Sequence, residues 1–308
     1  MLQPTHLRTL QEVLATGSLA GAGARLGFTA SAVSQQMAAL ERTTGLVLLE
    51  RGPRSVRPTP AAETLARRAT ALLNQLDLLE REVRVMAAGR QGAVRIGSFP
   101  SASARLLPPA LARLARSRAQ VDVLLDEAEP GDLVPRLLGG ALDLALVYEY
   151  DAVPSSWPAE LTRTSLLEEE LLVLLPRGHR LAQAPSVDLA ELAGERWASS
   201  LEGTAGTRTL DRLCAARDFQ PRVDYRSNDY NVVRGIVASG VCVALVPALS
   251  HTTDQGVRLL PLTSRESVRR VLALHRTEDT NPLLPPVLDA LVRASRAQGR
   301  HLLGVRSL

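Results

Sequence analysis

The fold is indicated most clearly by residues 18–57, SLAGAGARLGFTASAVSQQMAALERTTGLVLLERGPRSVR. Apolar residues recur at helical spacing before it and inside it, and each stripe stops at a glycine, first Gly17 and then Gly27. Glycine directly after an apolar stripe is a common helix end, so two short helices are predicted. A third helix follows at once and ends at Gly45. The sequence therefore predicts a three-helix unit.

The third helix has two different faces. Val33, Met37 and Leu40 recur at steps of four and three residues and should pack against the other two helices. The other face carries short or amide-bearing side chains near its N-terminal end, as a helix lying in a DNA major groove requires. An ordinary solvated helix face is the alternative. With the capping end and neighbouring positions, the candidate DNA-binding residues of this helix are Thr29, Ser31, Ala32, Ser34, Gln35, Gln36 and Arg42.

A basic turn follows the three helices. The apolar run LVLLE leads into RGPRSVRP, where Arg51, Arg54 and Arg57 occur with no acidic residue between positions 51 and 57. Arginines on a tight loop beside a groove-reading helix are well placed to contact phosphates or to enter the minor groove. A merely soluble turn is the alternative, but the helices directly upstream favour a DNA-binding wing.

These residues resemble the winged helix-turn-helix of LysR-type transcriptional regulators, from Leu2 to about Pro60. The family pattern S-A-V-S-x-Q, L-E-x-x-x-G, L-x-x-R and T-x-A is present at residues 31–36, 40–45, 48–51 and 59–61. The chain departs from that pattern at three positions, where the family usually has a basic residue, Phe and commonly Gly: Gln35, Leu49 and Ala62. The resemblance implies a DNA-binding domain over residues 1–58.

Length and charge agree with a two-part protein. The 308 residues exceed one ordinary domain, and 45% hydrophobic residues suffice for more than one core. The net charge is +4, and all 36 basic residues are arginine. Residues 1–90 contain 11 Arg against 7 Asp and Glu, so this third holds the entire excess. One nucleic-acid-binding module joined to a neutral module fits this distribution.

Residues 59–90 are predicted to form a linker and dimerisation helix, followed by a hinge at 88–92. Steps of four and three residues make a heptad seam, which indicates pairing with a second copy in a homodimer. Packing of the seam on the chain's own domains is the alternative. The seam consists of Leu65, Ala69, Leu72, Leu76, Leu79, Val83 and Met86.

Beyond the hinge, strand-like and helical segments alternate, as in a parallel α/β sheet. This alternation occurs in two sets and predicts two lobes, lobe 1 at about 91–161 and 267–300 and lobe 2 at about 162–266. The order of AVRIGS, LLP, LLGGALDLALV and VASGVCVALVP resembles the effector-binding domain of the same family. That resemblance implies an α/β fold similar to two-lobed periplasmic binding proteins, over residues 91–308.

A cleft between such lobes brings strand ends and helix N-termini together, where backbone N–H groups attract anions. Small metabolite acids are therefore expected effectors, although Glu202 would favour a cationic or hydroxyl-rich one if it faces the cleft. Helix capping is the alternative role for the serines and the asparagine. The candidate effector-binding residues are Ser98, Phe99, Ser101, Tyr148, Ser200, Glu202 and Asn228.

Other classes of protein receive little support. No signal peptide or bilayer-spanning run is visible, so a cytoplasmic protein without a membrane partner is expected. Cys214 and Cys242 lack CxxC spacing and are interpreted as buried residues, with a redox sensor as the weaker alternative. Five scattered histidines predict no metal site, and no cofactor is expected besides the unknown effector.

The leading hypothesis is a LysR-type regulator that binds double-stranded operator DNA as a homodimer or a homotetramer and responds to a small molecule. RNA polymerase is the other macromolecule that such a regulator could contact. The competing hypothesis is a small-molecule-binding or catalytic α/β protein with an N-terminal dimerisation module, using residues 168–170 and acids and tyrosines near 225–230. No nucleophile and base pair supports it.

Overall fold

A computed structural model describes residues 1–51, 56–87, 93–116, 122–250, 256–263, 268–279, 281–302 and 304–308. The chain divides into two compact units, residues 1–88 with the short turn at 139–141, and the remainder from 89 to 308. The predicted hinge at 88–92 lies outside the described residues.

The first unit contains four helices and a two-stranded wing among its described residues. They are α1 (Pro4–Thr16), α2 (Leu19–Leu26), α3 (Ala30–Thr44), β1 (Leu49–Arg51), β2 (Val56–Pro58) and α4 (Pro60–Ala87). Ser18 and Thr29 cap α2 and α3, each accepting a hydrogen bond from a backbone N–H three residues on. Gly45 ends α3 at a φ of +71°, a conformation that glycine adopts without a steric penalty.

The core of the first unit confirms the predicted inward face of α3. Val33, Met37 and Leu40 are buried together with the apolar stripe of α1. Gly23 allows the chain to turn closely into α3, because a Cβ there would lie 2.6 Å from the carbonyl oxygen of Phe28. The first half of α4 joins this core through Ala62, Ala66, Ala69 and Leu73.

The second unit is built on one continuous sheet with helices packed on it. Ten strands of the described residues join in it, in the path β4-β3-β5-β11-β6-β9-β7-β8, with β10 and β12 also paired to β6. The strands are β3 (Ala93–Ser98), β4 (Asp122–Glu127), β5 (Leu144–Tyr150), β6 (Leu161–Pro176), β7 (Arg196–Ser199), β8 (Arg222–Arg226), β9 (Val243–Pro247), β10 (Val257–Pro261), β11 (Val268–Arg276) and β12 (Val305–Ser307). The helices are α5 (Pro100–Arg105), α6 (Leu107–Arg116), α7 (Pro130–Leu138), α8 (Ala205–Ala215), α9 (Tyr230–Ala238) and α10 (Leu284–His301).

Two similar groups of parallel strands make the two predicted lobes. In lobe 1, β3 pairs in parallel with β4 and β5, and in lobe 2, β7 pairs in parallel with β8 and β9. The strands between the groups are antiparallel, and β6 belongs to both lobes because its first half pairs with β11 and its second half with β9 and β10.

The strand β6 is longer than the apolar run ELLVLLP, residues 170–176, which by itself predicts only the second part of this strand. The strand begins at Leu161, because the mixed polar and apolar segment from Leu161 to Glu170 pairs with β11 over nine residue pairs. The short strands β10 and β12 were also not predicted. The domain and lobe boundaries given above stay a prediction.

Candidate functional site

One face of α3 is free of packing in the first unit. Ser31, Gln35 and Arg42 are exposed along it, while Val33 and Met37 on the opposite side are buried. Thr29 is also exposed at the N-terminal end, where its hydroxyl accepts from Ala32 N at 3.1 Å. The helix therefore presents short and amide side chains at the end with unpaired backbone N–H groups.

The neighbouring candidates are partly enclosed. Ala32, Ser34 and Gln36 are half-buried. The hydroxyl of Thr9, a fully buried residue of α1, contacts the side-chain amide oxygen of Gln36. Gln36, which the sequence predicted as a DNA-binding residue, is thus oriented by α1.

The wing is attached to α3 by a carboxylate that the sequence analysis did not single out. Glu41 Oε1 accepts hydrogen bonds from Leu48 N at 2.8 Å and Leu49 N at 3.1 Å. Thr59 holds the other end of the wing, because its hydroxyl donates to Val47 O at 2.9 Å. The position of Glu41 in the L-E-x-x-x-G pattern, seven residues before the wing, was the available signal.

Two of the three wing arginines cannot be placed fully. Arg57 is exposed on β2. Arg51 lies on β1, but its side chain is outside the described part, and Arg54 lies outside the described residues altogether.

The second unit contains a buried ion pair at the junction of its lobes. Arg269 of β11 and Glu169 of β6 are 1% and 0% exposed at their side chains, with 2.7 Å between guanidinium nitrogen and carboxylate oxygen. Arg269 also donates to Ser101 Oγ at 2.7 Å, and Glu169 accepts from Leu249 N at 2.5 Å. These bonds join residues up to 168 positions apart in the sequence.

Aromatic rings enclose this ion pair. The Arg269 guanidinium carbon lies 5.0 Å from the ring centroids of both Phe99 and Tyr148, a distance suited to cation–π attraction. Tyr148 also packs edge-on against Tyr150, with ring centroids 5.6 Å apart. Burial raises the pKa of the Tyr148, Tyr150 and Tyr230 hydroxyls above the ordinary tyrosine value, so all three are neutral at pH 7.

A hydrogen-bonded chain crosses from lobe 1 to lobe 2 near these rings. Glu129, between β4 and α7, accepts from the Tyr148 hydroxyl and from Asn228 Nδ2, the latter at 2.8 Å. Asn228 in turn accepts from Leu201 N at 2.9 Å. The structure thus brings Asn228 and Tyr148, both candidates from the sequence, to one carboxylate that was not predicted.

The remaining effector candidates have different surroundings. Ser98 is buried, Phe99 is buried against the Arg269 guanidinium, and Ser200 is half-buried. Glu202 is exposed in the turn between β7 and α8. Glu129, Arg269 and Tyr150 were not predicted, and Glu169 was considered only as a catalytic acid, because no local sequence signal distinguishes these residues from other strand and loop residues.

Two family profiles cover most of the chain. The profile of the bacterial regulatory helix-turn-helix protein of the lysR family matches residues 4–63, and that of the LysR substrate binding domain matches residues 87–298. The chain belongs to the LysR family. This LysR-type regulator is 33% identical to the small neutral protease regulatory protein of Streptomyces coelicolor over 300 residues, which are 96% of this chain and 88% of that protein.

Solved structures share the fold of this LysR-type regulator. Full-length CbnR in complex with its target DNA has a TM-score of 0.69 at 20% identity, covering 95% of this chain and all of that one. HinK, a LysR family regulator from Pseudomonas aeruginosa, has a TM-score of 0.57 at 22% identity, covering 96% of this chain and 99% of HinK.

The family assignment confirms that the chain is a transcriptional regulator with a helix-turn-helix and an effector-binding domain. LysR-type relatives are transcription regulators and not enzymes, so the competing catalytic hypothesis is wrong. In agreement, Glu169, one of the acids considered for that hypothesis, is fully engaged by Arg269.

Both cysteines are free and buried, as the sequence predicted. Burial raises the pKa of the Cys214 thiol to about 12 and that of Cys242 to about 11, so both are protonated at pH 7. Among the described residues, no group of His, Cys, Asp and Glu could hold a metal ion, and no helix is long and apolar enough to cross a bilayer.

Proposed function

We propose that this regulator reads operator DNA with the exposed face of α3 and anchors the wing on the phosphates. The observation that carries the proposal is the free polar face of a helix whose opposite side is buried in the core of the first unit. Phosphate contacts position such a module, and base-edge contacts give its specificity. The proposed DNA-contacting residues are Thr29, Ser31, Ala32, Ser34, Gln35, Gln36, Arg42, Arg51, Arg54 and Arg57.

The exposed apolar side of α4 supports a homodimer. Leu72, Leu79 and Val83 are 59%, 53% and 54% exposed, which leaves a line of apolar side chains uncovered. Ala69, in contrast, is 4% exposed and packs in the core of the first unit. The start of the seam therefore packs on the chain's own core, and its later residues are available to a second copy. Two-fold symmetry would match two operator half-sites, and a pair of dimers would form the tetramer.

The effector is proposed to bind between the lobes of the second unit, in the cytoplasm and with no other cofactor. The Glu129–Asn228 hydrogen bond supports this place, because it is a polar contact that closes one lobe on the other. A ligand shifts such an equilibrium only through different affinities for the two arrangements. The proposed contacts are Ser98, Phe99, Ser101, Tyr148, Ser200, Glu202 and Asn228, and RNA polymerase is a further proposed partner.

The test is an electrophoretic shift with DNA from upstream of the chain's own gene. Gln35→Ala removes an exposed amide from the α3 face and should weaken specific binding by about 1–3 kcal/mol, roughly five- to a hundredfold in Kd. Gln183→Ala, an exposed glutamine of the second unit, is the matched control and should leave Kd unchanged. Equal binding by both variants and the unmodified chain would show that α3 does not read the DNA.

A further inference from the structure

Two groups that could bind an anion between the lobes, Ser101 and Arg269, are already occupied. Ser101 Oγ accepts from Arg269 at 2.7 Å, and both residues are at least 96% buried. Arg269 is neutralised by Glu169 and covered by the Phe99 and Tyr148 rings. An anionic ligand would therefore have to break a satisfied buried ion pair to reach this cation, which is strongly unfavourable.

Glu129 is in the opposite situation. It is half-buried between the lobes, and its two hydrogen-bond donors, the Tyr148 hydroxyl and the Asn228 amide, are neutral. No arginine or histidine in the described part of the chain forms an ion pair with it. Among the described residues the carboxylate charge at the lobe junction is thus balanced by dipoles alone, and a cationic donor would add ion pairing to the hydrogen bond.

Tyrosine side chains lie near this carboxylate. Tyr148 bonds to it directly, and the hydroxyls of Tyr150 and Tyr230 interact electrostatically with it. Arg269 already covers a face of Tyr148 and Tyr150 is buried, so the half-buried Tyr230 is the tyrosine of this group with the most accessible ring. A carboxylate beside aromatic rings is the combination that recognises organic cations.

The exposed charges at the lobe 2 turns cancel. Glu202 and Asp229 are exposed there, and so are Arg226, which donates to Ser200 O at 3.4 Å, and Arg208, which donates to Gly203 O at 2.7 Å. These turns therefore carry no excess of positive charge that would neutralise Glu129. A half-buried carboxylate held by neutral donors attracts cations and repels carboxylates.

We propose that the effector of this regulator is an organic cation of the amine or guanidine class, and that Glu129 is the residue that recognises its charge. This inference rests on the proposed binding of an effector between the lobes. It replaces the expectation of a metabolite acid and moves the deciding carboxylate from Glu202 to Glu129. Because the incoming cation takes the place of Asn228 at Glu129, its binding changes the hydrogen bond that joins the lobes.

The experiment measures the melting temperature of the full-length protein with two matched sets of probes. One set is benzylamine, benzyl alcohol and benzoate, and the other is 1,4-diaminobutane, 1,4-butanediol and succinate. At about a hundredfold excess over Kd, a bound amine should raise Tm by about 5 °C, while the alcohol and carboxylate of its set should not. Glu129→Gln keeps the shape of the side chain and should abolish the shift.

A further variant controls for surface charge. Glu127→Gln removes an exposed carboxylate at the end of β4, outside the proposed effector contacts, and should leave the amine shift intact. Circular dichroism of each variant without ligand establishes that it is folded.

Several results would overturn the proposal. They are a shift produced by the carboxylates, no shift from either amine, and an amine shift that survives Glu129→Gln but disappears in Glu202→Gln. Binding of the same preparations to the upstream DNA tests the proposed function separately. A protein that binds this DNA and responds to a carboxylate would contradict only the cationic effector.

Discussion

Polar side chains have opposite surroundings on the exposed face of α3 and at the junction between the lobes. Ser31, Gln35 and Arg42 project from the first unit without a buried partner. At the junction, Arg269 and Glu169 are completely enclosed and bonded to each other. The polar side chains of a DNA-binding surface can remain unpaired because water solvates them, whereas buried charges must be paired inside the protein. A ligand at the junction must therefore exchange bonds, and DNA on α3 needs only to displace water.

The largest effect is expected when one member of the buried ion pair is removed. Arg269→Met leaves Glu169 buried without its cation, and we expect the second unit to lose about 3–5 kcal/mol of unfolding free energy. Urea denaturation followed by circular dichroism measures it. The double variant Arg269→Met with Glu169→Leu should recover much of the loss, because no uncompensated charge remains. Equal destabilisation in the single and double variants would mean that shape, and not charge, governs this centre.

A smaller effect is expected where a single carboxylate positions the wing. Glu41→Ala leaves the Leu48 and Leu49 N–H groups without their acceptor and should lower operator affinity and the stability of the first unit by about 1–2 kcal/mol. Glu63→Ala, which removes an exposed carboxylate from the first turn of α4, is the matched control. In electrophoretic shift and in urea unfolding, Glu41→Ala should be weaker than Glu63→Ala. Identical binding and unfolding curves for the two variants would refute the proposal that Glu41 positions the wing.

The N-terminal cap of α3 should give a still smaller effect. Thr29→Ala removes the acceptor of the Ala32 N–H, and caps of this kind contribute about 1 kcal/mol to helix stability. Thr29→Ser keeps the acceptor and should behave as the unmodified chain in thermal unfolding. If Thr29→Ser were as unstable as Thr29→Ala, the methyl group and not the cap would be responsible.

The smallest effect concerns the two thiols of the second unit. Cys214 and Cys242 are buried with raised pKa values, so a thiol reagent such as DTNB should react with neither in the folded protein at pH 7. When the same protein is unfolded in guanidinium, both thiols should react with DTNB and release two equivalents of thionitrobenzoate. Rapid labelling of the folded protein would return the redox-sensor alternative to consideration.

The first unit could be predicted almost completely because its determinants are local. The three helices end at the predicted glycines, and the inward residues of α3 are those of its apolar stripe. Caps, turns and periodicity act within a few residues, so a single sequence contains them. The link from Glu41 to the wing was missed, although it joins residues only seven and eight positions apart, because a glutamate in a helix usually faces water.

The lobe junction could be predicted only in outline. The alternation of strands and helices indicated two lobes and placed Ser98, Phe99 and Ser101 in a turn at a strand end. It did not show that β6 runs through both lobes, nor that Glu129 meets Asn228 across 99 positions of sequence. Such pairings depend on strand order and register, which no local pattern specifies.

The amino-acid sequence by itself determined the helix-turn-helix, the polar face that α3 presents, the basic wing and the division into a DNA-binding part and a two-lobed α/β part. Only the tertiary structure decided that Arg269 is occupied by Glu169 and Ser101 while Glu129 has neutral partners. The physical reason is that the charge available to a ligand depends on which groups fold next to each other, and all of these pairs except Glu129–Tyr148 lie 99 to 168 residues apart along the chain.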